Sequence, residues 1–157
     1  MTDGSIVVDM IQDVDDFHVK FNLDYKGEPR ALPRDLRGFR QGFLREEYQE
    51  YLDASAALDL AIKAKDDAEI THWLEQQLDA LLDLCYVAIG TGLLQGFDMK
   101  EAWKRIQTAN MAKVRAADAS ESKRGSHYDV VKPKGWVPPS HKDLVEDHSH
   151  KQSELPL

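Results

Sequence analysis

The chain has 157 residues, 42% of them hydrophobic and 31% charged, and carries a formal net charge of −8. That length lets a single domain bury a core without disulfides or a structural metal. The acidic balance excludes a general nucleic-acid binder, which needs a basic footprint, although phosphates can still be held locally through a metal ion.

The single Cys85 excludes an internal disulfide, and its apolar setting predicts a buried, inert thiol suited to a reducing cytoplasm. The first ten residues lack the basic start and apolar stretch of a signal peptide. The longest uncharged run, 84–97, falls short of a membrane span and is broken by Gly90, Gly92 and Gly96. A soluble, cytoplasmic protein with no membrane partner is expected.

Apolar spacing over 8–20 (Val8, Ile11, Val14, Phe17) predicts a short helix, and Gly27, Pro29 and Pro33 mark residues 22–35 as a loop. A long helix follows over about 36–64, with Asp35 as its expected cap. At roughly 100° per residue, Phe39, Phe43, Glu47, Glu50, Ala54 and Ala57 share a stripe, with Glu46 at its edge. Two glutamates thus stand where core residues are expected.

The next helix, about 68–94, carries Ile70, Leu74, Leu78, Leu81, Leu82, Cys85 and Ile89 on its main apolar face. Its second half is apolar almost all round, the pattern of a helix buried on every side. Asp83 is the only charge there, and it shares a stripe with Asp79, Tyr86 and Gly90. Gly96-Phe97-Asp98 reads as a stop and a cap. A further helix over about 99–116 puts Trp103, Ile106, Asn110 and Lys113 on one stripe. Beyond it the chain turns polar and punctuated, with one possible short strand at Val130-Val131 and a final dozen residues expected to be frayed.

Carboxylates three and four apart on a helix are neighbours, so Glu47 with Glu50, Glu46 with Glu50, and Asp79 with Asp83 repel in pairs. Pairing with Arg40 or Arg45 on a solvated face is the bland explanation. A hard divalent cation, which takes oxygen ligands and leaves positions for phosphates, is the functional one. Asn110 and Lys113 are weaker candidates, as are Arg124, Lys132 and Lys134. Trp136 or Tyr128 could stack on a base, although a core role is the commoner one. A zinc site at His141, His148 and His150 is discounted, because no cysteine accompanies them and the spacing fits no standard finger.

Glu46-Glu47-x-x-Glu50 followed by an acidic pair resembles the all-α nucleoside triphosphate pyrophosphohydrolases, which include MazG, dimeric dUTPases and phosphoribosyl-ATP pyrophosphohydrolase. Phe17-His18-x-Lys20-Phe21, Phe43-Leu44-Arg45-Glu46-Glu47, Asp79-x-x-x-Asp83-x-x-Tyr86-Val87-x-x-Gly90, Gly96-Phe97-Asp98 and Asn110-Met111-Ala112-Lys113 extend the likeness to short phage MazG-like proteins, over about residues 10–139.

The resemblance implies an all-α, MazG-like four-helix bundle core completed by oligomerisation as a homodimer or homotetramer. The helical catalytic domain would span 1–120, with a less regular tail at 121–157 partly ordered over the active site. It implies Mg²⁺-dependent hydrolysis of a (d)NTP to the monophosphate and pyrophosphate, with Mn²⁺ able to substitute. Glu47, Glu50, Asp79 and Asp83 would be metal ligands, and Glu46, Glu47 and Glu50 the catalytic carboxylates. Asn110, Lys113, Arg124 and Lys132 would contact the nucleotide. The family's second motif often reads Glu-x-x-Asp, and Ala80 stands where that glutamate would be. Asp79 is then the substitute, and the number of metals and the identity of the base stay open. A dGTP preference in phage nucleotide-pool control, within a host cytoplasm, is one possibility. A non-catalytic helical module that binds metal or nucleotide is the competing class.

Overall fold

The computed structural model describes residues 8–145; His148 and His150 therefore lie outside the described residues. The chain divides into two compact units, Met1–Phe97 and Asp98–Leu157. The first holds helices α1 (Met10–Lys20), α2 (Arg34–Ala64) and α3 (Asp67–Leu94), and the second begins with α4 (Met99–Met111).

Helix starts follow local chemistry. Asp9, Asp66 and Asp98 cap α1, α3 and α4 by accepting from the backbone N–H of Gln12, Glu69 and Glu101. The expected Asp35 cap of α2 is not used. Pro33 is its N-cap, with ψ 148° and no side-chain bond, and Asp35 sits in the first turn, where a negative charge suits the helix dipole.

The two-residue connection at 65–66 turns α3 back against α2 as an antiparallel hairpin. Gln77 Nε2 donates to Ser55 Oγ at 2.7 Å towards the turn. At the far end Arg40 Nη2 donates to the Val87 carbonyl at 2.7 Å and Arg40 Nε to Thr91 Oγ1 at 3.0 Å. Among the described residues of this unit the buried apolar ones are mostly small: Ala54, Ala61, Ala80 and Val87, with Val14 from α1, beside Leu32 and Leu94. Small side chains let the helix axes come close.

Close packing on one side leaves the other side open, and this corrects the expectation that the second half of α3 is buried on every side. Leu74, Leu78, Leu81 and Leu82 are exposed, Leu78 by 59%. Cys85 is exposed as well, not buried. Phe39, expected on the core stripe of α2, is 63% exposed. By length and composition α3 could also cross a membrane. Yet Asp79 and Asp83 sit within it and α1 and α2 pack on it, as on a core helix.

The loop before α2 is tied to the end of α3. Arg30 donates its backbone N–H to Gln95 O at 2.8 Å and its Nε to Leu94 O at 3.3 Å, placing a cation at the helix C-terminus. Its guanidinium stacks 3.5 Å from the Tyr25 ring centroid. Gly96 makes this possible: its φ is +73°, and a Cβ there would lie 2.8 Å from Gly27 O.

In the second unit α4 ends at Met111, about a turn earlier than the expected 116. The β-branched Val114 instead enters a two-stranded antiparallel ladder, β1 (Val114–Arg115) with β2 (Val130–Val131), pairing Val114 with Val131 and Arg115 with Val130. The short strand expected at Val130-Val131 is therefore present. Trp136 Nε1 donates to Ala109 O at 2.7 Å, and Arg105 forms a fork on Asp143 at 2.6 and 2.8 Å.

Gly96→Ala combines positive φ with a backbone clash, so it is expected to cost about 2 kcal/mol or more. Denaturant titration checks this; an unchanged midpoint would contradict the account of the 25–30 loop.

Candidate active site

The acidic side chains do not share one environment. Glu47 is buried, at 7% exposure, whereas Glu46, Glu50, Asp79 and Asp83 are exposed. Burial pushes the Glu47 carboxyl above its ordinary value, and the charges of Glu50, Asp83, Glu46 and Asp79 push it further in the same direction. Two helices thus bring all the sequence-selected carboxylates into the field of one buried glutamate.

Glu47 and Asp83 line a cavity of about 350 Å³ together with Phe17, His18, Arg40, Phe43, Tyr86 and Val87. Ala80, at the place of the family's usual glutamate, is only 3% exposed. Asp79, next to it, keeps its solvent contact. The bland pairing of the glutamates with Arg40 does not form, since that guanidinium is spent on Val87 and Thr91 of α3.

All the candidate ligands are carboxylate oxygens, the donor type a hard divalent cation prefers. Among the described residues no group of three or more His, Cys, Asp or Glu stands close enough to hold a metal ion. The donor chemistry fits, and the chain by itself holds these carboxylates apart, as their mutual repulsion favours.

In the second unit Lys113, Arg124 and Lys132 meet around one cavity of about 390 Å³, with Lys123, Glu121 and Asp129. Arg124 Nη1 is ion-paired to Asp129 at 2.8 Å, and hydrogen bonds from Ser122 and Arg124 hold the Asp129 carboxyl below its ordinary value. The Nζ atoms of Lys113 and Lys132 lie 5.7 and 4.6 Å from the Trp136 ring centroid. The indole is therefore a seat for two ammonium groups, not a free stacking surface. Asn110 is exposed on the last turn of α4 and does not line this cavity. Tyr128 is 81% exposed against the His127 ring.

Sequence reasoning passed over Arg40 and His18 as site residues. Arg40 lies on the Phe43–Glu47 stripe, and a cation on a core stripe is as anomalous as a glutamate there. His18 stood in plain view inside Phe17-His18-x-Lys20-Phe21.

A mostly helical chain with a buried glutamate beside Asp83, and further carboxylates on the same two helices, offers the oxygen donors that a hard divalent cation takes. Residues 14–110 match the phosphoribosyl-ATP pyrophosphohydrolase (PRA-PH) family, and the chain belongs to that family. It is a nucleotide pyrophosphohydrolase of MazG-like all-α fold, a hydrolase acting on acid anhydrides. Enzymes of this family are typically dependent on a divalent metal. No curated protein matches the chain.

His18 supplies a pH test of the packing. Burial, then the Arg40 charge, lower its pKa below 6.5; Asp15 and Asp24 oppose this, and Lys26 adds to the lowering. The ring is neutral in the fold at pH values where the unfolded chain binds the proton, so stability rises with pH in that window. His18's contribution is complete above about pH 6.5 and is lost as the pH falls below it, towards the folded-state value. Unfolding free energy measured from about pH 8 to about pH 5 should fall more steeply for the native chain than for His18→Gln. Equal slopes would contradict the assignment.

Proposed function

We propose that this protein is a Mg²⁺-dependent nucleoside triphosphate pyrophosphohydrolase that cleaves a (d)NTP to (d)NMP and pyrophosphate. The observation that carries the reading is the buried Glu47 sharing one cavity wall with Asp83, with Glu46, Glu50 and Asp79 on the same two helices. Such an arrangement is costly for a fold unless a cation offsets it.

In this reading Glu47, Glu50, Asp79 and Asp83 hold the metal, with Mn²⁺ able to replace Mg²⁺. The bound cation supplies neutralisation of the phosphate oxygens. Glu46 or Glu50, exposed on the same helix, takes the proton of the attacking water. The water oxygen bonds to phosphorus, the anhydride P–O bond breaks, and pyrophosphate leaves. Lys113, Arg124 and Lys132 bind phosphate oxygens, and Asn110 contacts sugar or base.

The exposed leucines of α3 support a homodimer or homotetramer, because an apolar face of that kind is ordinarily covered. A phage role in nucleotide-pool control, with dGTP as the preferred substrate, is the narrower form of the proposal. It rests on the likeness to short phage proteins.

Pyrophosphate release from a panel of dNTPs with Mg²⁺ tests the reading. Glu50→Gln and Asp83→Asn should each lower the rate by about a hundredfold or more, given that even outer-shell partners of a metal are worth roughly 10–100-fold. Chelation should abolish release and Mn²⁺ should restore it. Full activity in both folded variants would sink the proposal, and a flat rate across bases would remove the dGTP preference.

A further inference from the structure

The second unit contains a segment that is fastened to α4 without being packed tightly on it. Residues 132–143 run back along the helix, and none of them is buried. A cavity of about 620 Å³ lies between α4 and residues 133–140. Apolar burial therefore does little to fix where the segment sits, and polar contacts take over that task.

Two fasteners, one turn apart on α4, supply them. Trp136 Nε1 donates to Ala109 O at 2.7 Å, a carbonyl of the last turn that a helix leaves open. Arg105 Nη1 donates to Ser140 O at 2.8 Å, and its Nη1 and Nη2 fork onto Asp143 at 2.6 and 2.8 Å. Glu101, one turn earlier, accepts from Arg105 Nε at 3.0 Å, so the guanidinium is held from its own helix while it holds the segment. Hydrogen bonds from Arg105 keep the Asp143 carboxyl below its ordinary value.

The fasteners hold the indole of Trp136. Its ring centroid lies 4.6 Å from Lys132 Nζ and 5.7 Å from Lys113 Nζ. Two ammonium groups repel each other, and a ring that attracts both keeps them together. Both lysines line the cationic cavity and Trp136 does not, so the indole acts on that cavity only through them.

We propose that Trp136 is a positioning residue for the phosphate-binding lysines, and that the Arg105–Asp143 fork is the clasp that keeps it in place. This rests on the reading that Lys113 and Lys132 bind phosphate oxygens. Releasing the clasp frees the segment, lets the ammonium groups separate and weakens the hold on phosphate. The carboxylates of α2 and α3 take no part in it.

Titration of the full chain with inorganic pyrophosphate, in the presence of chelator and without nucleotide, tests the clasp with no turnover. The native chain should bind, and Lys132→Ala should abolish binding. Asp143→Asn should raise the Kd by about three- to fivefold, the scale of an exposed ion pair, and Asp143→Glu should recover most of the loss. Trp136→Leu should raise it further. The Asp143 side chain is 60% exposed, so its variants stay folded where Trp136→Leu does not. By NMR, the ring-current shift of the Lys132 side-chain methylenes should shrink in Asp143→Asn, which a small loss of stability in a folded chain does not produce. In turnover that variant should raise KM for dNTPs and keep kcat.

A native Kd in Asp143→Asn, or a raised one with the Lys132 shift intact, overturns the clasp and leaves the phosphate reading standing. Absent binding in the native chain, or native binding in Lys132→Ala, overturns both. Clasp-dependent binding with no pyrophosphate release from dNTPs and Mg²⁺ overturns the catalytic reading alone.

Discussion

The structure of the first unit depends on one buried cation. Arg40 reaches from α2 into α3 and bonds a helix carbonyl and a threonine hydroxyl, not a carboxylate. Thr91 Oγ1 also donates to the Val87 carbonyl at 2.7 Å, so three groups form a closed knot. Taking a guanidinium out of water is expensive, and burial lowers its pKa, yet it stays charged because its ordinary value lies so far above neutrality. The knot fixes the pairing of α2 with α3. Two turns further along α2, Glu47 then meets the stretch of α3 that carries Asp79 and Asp83.

That geometry explains why a cation and an acidic cluster share one cavity without neutralising each other. Arg40 is held by α3, and Glu47 remains under the influence of four other carboxylates. The first unit therefore has an acidic wall next to an aromatic and basic one, which suits a ligand with distinct ends. In the second unit the balance is reversed. Lys113 and Lys132 converge on Trp136, whose indole is itself fixed to the end of α4.

Much of the fold was legible. Asp98 announces its helix because a short carboxylate caps open N–H groups where the chain enters a helix. Gly96 announces a stop for an equally local reason. Glu47 stood out as a charge on an apolar stripe, and it is buried. Glu50 and Phe39 lie on the same stripe and are exposed, because α3 and α1 cover only part of it. The long apolar face of α3 misled in the same way: Leu78 and Cys85 have core spacing but are exposed among the described residues. The early end of α4 was hidden too, since Val114 leaves the helix for a partner strand sixteen residues later.

By itself, then, the sequence determined that the chain holds four helices, roughly where each runs, and the cap at Asp98, since these follow from spacing along one stretch of chain. It also carried the likeness that residues 14–110 bear out as membership of the pyrophosphohydrolase family. Only the tertiary structure decided that Arg40 locks α3, that His18 is buried beside it, and that Ala80 is sealed while Asp79 is not. Periodicity ranks the faces of a helix, but which face is covered depends on contacts between residues far apart in the chain, as Arg40 with Thr91 and His18 with Gly90 show.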